Sequence, residues 1–171
     1  MPRPGDGPLL SQLARAITVA SNAPCRGLCR VLTVWVVNLV VIAVVVTIHY
    51  EFLHRFTLLM PRMNVRHRFR IVIGVFAALL AHALEVWIFA LSYYLMHHAE
   101  SWGHLQGNFG GSFLDCVYFS FTTYTTLGTG DIEPIGYLRY LTGLESLTGL
   151  LLITWTASFL YLEMTRYWDS G

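Results

Sequence analysis

The sequence predicts an all-α membrane protein, with three helices that cross a bilayer and one short helix that enters it and turns back. Three observations lead there. The chain is 55% hydrophobic and only 12% charged, against about 25% charged for a soluble domain. Its apolar residues gather in three long runs, each long enough to span the roughly 30 Å hydrocarbon layer. Between the second and third lies a run of about twelve residues, too short to cross. It ends in T-T-Y-T-T-L-G-T-G-D.

The 171 residues suit a single domain. All eleven basic residues are Arg and the net charge is +1. That leaves no basic footprint for nucleic acid, so none is expected as a partner. Membrane lipids are expected partners instead, and the expected location is the cell membrane, crossed several times.

Residues 1–30 form an N-terminal segment. Residues 9–20 place Leu10, Leu13, Ala14 and Ile17 at helical spacing, with Arg15 off that face. The segment fits a helix lying in the membrane interface, and equally an ordinary surface helix. Pro24 and Gly27 break the pattern over residues 22–30. Cys25 and Cys29 are four apart, but no second ligand pair accompanies them, so they read as small apolar residues rather than a metal site.

Residues 31–53 hold an extra transmembrane helix. Its apolar run, 31–48, is interrupted only by Thr33, Asn38 and Thr47. It carries no Arg, whereas a voltage sensor carries Arg repeatedly within the span. Residues 54–70 form a basic loop with Arg55, Arg62, Arg66, Arg68 and Arg70. Short Arg-rich loops stay cytoplasmic. Residues 71–96 are the second span. His82 and Glu85 interrupt it three residues apart, on one face. An ionisable pair at that depth is costly and should face protein or water. It reads as a satisfied inter-helix hydrogen bond, with a proton-sensitive or filter-supporting group as the alternative.

Residues 97–112 are polar, Gly-rich and free of Arg, as expected of a loop on the opposite side. His97, His98, Glu100 and His104 have irregular spacing and read as solvated loop residues rather than zinc ligands. Residues 113–124 form the short re-entrant helix, residues 125–131 the segment it feeds, and residues 137–161 the third span. A re-entrant segment does not change sides. With the basic loop inside, the N-terminus falls outside and the C-terminus inside.

Within residues 122–131, Gly128 and Gly130 alternate with Leu127 and Thr129, and Thr126 stands before them. Glycine reaches φ > 0 at little steric cost. Alternation can therefore turn successive carbonyls to one side, where they replace the water around a dehydrated cation. A bare G-x-G usually marks a turn, but the apolar spans on both sides favour a selectivity filter. Asp131 and Glu133 make its outer mouth anionic.

Residues 117–166 resemble the pore unit of tetrameric potassium channels of the two-span, pore-loop type. The likeness rests on the aromatic pore helix, T-T-L-G-T-G-D in place of T-T-V-G-Y-G-D, Pro134, and a Gly-bearing inner helix. With the outer helix it covers about residues 68–166. It implies an all-α fold with a pore domain at 71–166 and four-fold symmetry. One chain has one pore loop and cannot surround an ion, so a homotetramer is expected. The resemblance implies potassium ions held by Thr126, Leu127, Gly128, Thr129 and Gly130, and passive passage. It places a hinge glycine at Gly149, for which close helix packing is the plainer reading.

The departure is Thr129, where the family has Tyr or Phe. A weakly selective cation channel is therefore the alternative within the class. A non-conducting membrane scaffold or auxiliary subunit is the alternative outside it. No residue set for catalysis is present, and no enzyme is expected. The family supports the acid at Asp131 from the pore helix, at positions held here by Thr122 and Tyr118. The Tyr118 hydroxyl is expected to donate to Asp131. Glu145 is expected to be protonated or fully hydrogen-bonded near the pore helix, replacing the acid missing at Thr122.

Overall fold

The computed structural model describes residues 8–59, 67–99 and 102–168, with side chains over 28–59, 69–99 and 102–165. The elements in order are α1 (Pro8–Leu59), α2 (His67–His98), β1 (Gly103–Gly107), α3 (Phe113–Tyr124), β2 (Ile132–Gly136) and α4 (Leu138–Trp168). Three stretches are long and apolar enough to cross a membrane: Leu28–Leu59, Phe69–His98 and Leu138–Thr165. The protein is a mostly helical, multi-pass membrane protein. Two compact units divide it, Met1–Val37 and Asn38–Gly171. In the first, the described backbone is helical from Pro8 onward.

Three expectations change. The break expected at residues 22–30 is absent, and both Pro24 and Gly27 sit inside α1. The basic loop expected at 54–70 is helical at both ends, and residues 60–66 lie outside the described residues. Residues 54–59 are the end of α1, where Arg55 Nε donates to Glu51 Oε1 at 2.7 Å, and α2 begins at His67. Arg62 and Arg66 lie outside the described residues, as does Glu100.

The third change is in the expected polar loop at 97–112. Its first two residues close α2, and residues 103–107 form β1. That strand pairs antiparallel with β2, matching Leu105 to Pro134 and His104 to Ile135. Pro134 is acceptable because a two-stranded sheet consists of edges. Leu105 and Ile132 are buried, and the Leu105 amide donates to His97 Nδ1 at 3.1 Å. The strand was hard to read because one apolar residue among glycines and polar residues gives no alternation.

The core lies where α2, α3 and α4 meet. Phe89, Tyr93, Cys116, Phe119, Tyr124, Leu138 and Leu141 are buried there. Tyr93 and Phe119 meet edge to face, with centroids 5.0 Å apart. α1 joins further along: Val45 is in the core, and Phe56 meets Phe159 edge to face at 6.1 Å. Large apolar side chains such as Leu79, Leu80, Leu91 and Leu151 point outward. Lipid tails are as apolar as Leu, so burial gives helices in a membrane little reason to pair. Close packing and polar contacts must do it.

Gly149 is one such packing point. A Cβ there would lie 2.2 Å from the Tyr124 carbonyl oxygen and 3.0 Å from Tyr124 Cγ. Real contacts never come that close, so α4 and the end of α3 would have to separate. Overpacking of this kind costs about 1–3 kcal/mol. At Gly143 nothing lies within 4 Å, and Ala is favoured over Gly in a helix by about 1 kcal/mol. Gly149→Ala should therefore lower the thermal midpoint of the purified protein, and Gly143→Ala should leave it unchanged or raise it. Equal midpoints would contradict the packing role.

Candidate functional site

The site is built from the N-terminus of α3 onward. Ser112 caps that helix. Its hydroxyl accepts from the Asp115 amide at 3.1 Å, while Asp115 Oδ2 accepts from the Ser112 amide at 3.2 Å and from the Gly110 amide at 2.9 Å. This reciprocal pairing satisfies donors that a helix start leaves open. The Ser112 amide and hydroxyl also hold the Asp115 carboxyl below the usual carboxylate range.

At the other end α3 runs straight into residues 125–131, aiming its partial negative charge that way. Residues 127–129 form neither helix nor strand. Their shape is imposed from the helix behind. The Thr125 amide bonds Phe121 O at 3.1 Å, the Thr126 amide bonds Thr123 O at 2.9 Å, and the Gly128 amide bonds Thr122 O at 3.0 Å. Thr122 thus supports this segment through its carbonyl. Its side-chain hydroxyl is spent on Phe119 O at 2.9 Å.

The backbone alternates as well. Thr126, Gly128 and Gly130 have φ of 59°, 56° and 75°, whereas Leu127 and Thr129 do not have positive φ. At the two glycines nothing within 4 Å would obstruct a Cβ, so it is the left-handed backbone that calls for glycine. Thr126 is the one described non-glycine residue with positive φ. A left-handed conformation costs a non-glycine residue roughly 1–2 kcal/mol. Sequence reading assigned alternation to the glycines and missed that it begins at Thr126.

Tyr118 acts on Asp131, as the sequence suggested, with Thr129 as an added partner between them. Its hydroxyl donates to Thr129 Oγ1 at 3.2 Å, and the Thr129 hydroxyl donates in turn to Asp131 Oδ1. Thr129 is interposed because its short side chain turns back toward α3 and leaves room for a hydroxyl relay. The Thr129 hydroxyl, with a lesser pull from Tyr118, holds the Asp131 carboxyl below the usual carboxylate range. The Asp131 carbonyl accepts from the Asn108 amide at 2.9 Å. This ties the end of the segment to the residue after β1.

Behind α3 sit two buried acids. Glu145 accepts from the Tyr93 hydroxyl at 2.6 Å and from the Ser120 hydroxyl. Ser120 Oγ also lies 2.9 Å from Val86 O. A proton on the Glu145 carboxyl would be donated to Ser120 Oγ and leave the Ser120 hydroxyl for Val86 O. Neither of these bonds reaches Asp131, so Glu145 braces the helix and not the segment beyond it. Thr142, Glu145, Ser146 and Gly149 follow the i, i+3, i+4, i+7 spacing of one helix face. Ser146 Oγ donates to Thr123 O at 3.2 Å. That polar stripe in an apolar helix was a signal available in the sequence.

The second acid is Glu85. His49 Nδ1 lies 2.7 Å from its Oε1 and His82 Nδ1 lies 3.1 Å from its Oε2, which the Tyr124 hydroxyl also donates to. The inter-helix bond expected for His82 and Glu85 is therefore present. Its main partner, His49 on the extra helix, was not anticipated, because the sequence gives no spacing that relates residues 49 and 85.

Glu145→Gln keeps an acceptor for Tyr93 or Ser120 and should be tolerated. Glu145→Ala strands buried hydroxyls at about 1–3 kcal/mol apiece and should lower the thermal midpoint clearly. Equal midpoints for the two variants would contradict the bracing role.

Comparison with known proteins bears on this arrangement. Residues 81–166, half of the chain, match the family model described as an ion channel. A stretch of 57 residues is 44% identical to the inward rectifier potassium channel Kirbac3.1 of Paramagnetospirillum magnetotacticum. It covers 33% of this chain and 19% of that relative. No solved structure matches the chain. The matched region takes in the acids of α2 and α4, the short helix α3 and the left-handed alternation that follows it, and the chain belongs to the ion channel family.

Proposed function

We propose that the protein conducts potassium ions passively across a cell membrane, through a pore that four copies of the chain enclose. The observation that carries this reading is the alternation of positive φ at Thr126, Gly128 and Gly130. The amides of Thr126 and Gly128 are turned back to α3. Alternating left-handed residues with ordinary ones, with those amides drawn to one side, leaves a row of carbonyls for the other. Such a row replaces the hydration shell of a cation, and four are needed to surround one. The ions are then held by carbonyls of Thr126, Leu127, Gly128 and Thr129, with the Thr126 hydroxyl at the inner end.

The apolar side chains around this segment support assembly. Leu127 is 71% exposed in the single chain, and Tyr118, Phe121 and Leu114 are also exposed. Further copies of the chain would cover them. The family points to a channel and not to an enzyme, and the matched stretch of the relative belongs to a potassium channel.

Thr129 favours a second reading, a weakly selective cation channel, because it lacks the aromatic ring that stiffens related filters. The relay from Tyr118 through Thr129 to Asp131 supplies part of that stiffness by hydrogen bonding. We therefore expect potassium preference, somewhat weakened. The test is the sodium-to-potassium permeability ratio in liposomes for wild type, Thr129→Tyr and Thr129→Val. Wild type should prefer potassium, Thr129→Tyr should prefer it more, and Thr129→Val, without the relay, should leak sodium. Equal permeability to both ions in wild type would overturn the potassium reading. An absence of flux would overturn conduction itself.

A further inference from the structure

The cluster around Glu85 is more than a brace for α3. We propose that His49, His82 and Glu85 form a binding site for a first-row divalent transition metal ion, with zinc as its simplest occupant. Each offers one ligand atom, and these atoms all lie within 4.8 Å of one another. Two imidazoles and a carboxylate are a donor set that suits such ions. Both rings turn the same nitrogen, Nδ1, toward the one carboxylate, at 2.7 and 3.1 Å. In a tetrahedral zinc site, with bonds near 2.0–2.2 Å, ligand atoms stand roughly 3.3 Å apart. The two histidine–carboxylate contacts would open by less than about 1 Å, and the widest pair of donors would close by up to about 1.5 Å, to take the ion in place of the bridging protons.

A second observation concerns the ring nitrogen facing away. Metal-bound histidines ordinarily hydrogen-bond through their other nitrogen, which fixes the tautomer. His49 has that partner ready: Nε2 lies 3.2 Å from Thr156 Oγ1 on α4. A tautomer that donates from Nε2 to Thr156 leaves the Nδ1 lone pair free for a metal. The Tyr124 hydroxyl lies beside the cluster, 3.0 Å from His82 Nδ1, and a water would complete four-fold coordination. His49 and Glu85 are 1% and 0% exposed, while His82 is 17% exposed, so the ion would enter on the His82 side. Charge favours the arrangement too. A carboxylate at membrane depth is costly alone, and a dication is a stronger partner for it than hydrogen bonds. An occupied site would join α1 and α2 through one ion.

The test is metal binding by the purified full-length chain in detergent, stripped with a chelator and then titrated with Co²⁺. Wild type should bind one Co²⁺ per chain with the visible absorption of a four- or five-coordinate site, and Zn²⁺ should displace it. Glu85→Gln keeps the hydrogen-bonding shape but loses the anionic ligand, and should weaken binding at least about tenfold. His82→Gln, at the rim, carries the same expectation if Glu85→Gln fails to assemble, as judged by size-exclusion chromatography. His98→Gln with His104→Gln should bind as wild type. Absence of stoichiometric Co²⁺ in wild type would overturn the proposal. So would undiminished binding in Glu85→Gln or His82→Gln, loss of binding in the His98/His104 variant, or a thiolate-to-cobalt charge-transfer band.

Discussion

The segment 125–131 cannot hold its own shape, and much of the structure follows from that. It has no helix or strand of its own, and one of its non-glycine residues is left-handed. Its conformation is borrowed from α3 through amide bonds to the Phe121, Thr122 and Thr123 carbonyls. A borrowed shape is only as fixed as its lender, so α3 must be held at every turn. Its start is locked by the Ser112–Asp115 box, its middle by Ser120 against Glu145, and its end by Tyr124 against Glu85.

The bilayer explains why polar groups are used for this. Burial of apolar surface barely distinguishes a neighbouring helix from lipid. An unpaired carboxyl or hydroxyl at membrane depth does distinguish them, because lipid offers it no partner. Each bond of this kind averages only about 0.6 kcal/mol, with a maximum of about 1.7. Their value lies in direction. Glu145 has its partners only when α4 faces Ser120 and Tyr93, and Glu85 has all of its partners only when α1 brings His49 to it. Gly149 then sets the spacing, since no side chain fits between α4 and the Tyr124 carbonyl.

The helical membrane architecture was legible in the sequence because long apolar runs leave no other fold open. The alternation of Gly128 and Gly130 was legible for the same kind of reason, since few backbones require it. What stayed hidden depended on the third dimension. His49 and Glu85 are thirty-six residues apart, and no periodicity relates them. β1 was hidden by glycines that erase alternation, and the helical course of residues 22–30 by Pro24 and Gly27, which ordinarily read as breakers. The part Thr129 takes between Tyr118 and Asp131 stayed hidden too, because a sequence gives the length of a side chain but not which way it turns.

The central claim is that residues 126–129 present carbonyls, not side chains, to ions on a four-fold axis. It is tested most directly by crystals of the assembled protein grown in potassium and then exchanged into rubidium. Anomalous scattering from the rubidium would locate the ions. The account predicts a row of peaks on the axis, level with the carbonyls of Thr126, Leu127, Gly128 and Thr129. Peaks confined to Asp131 and Glu133 at the mouth, or an assembly without a four-fold axis, would contradict it.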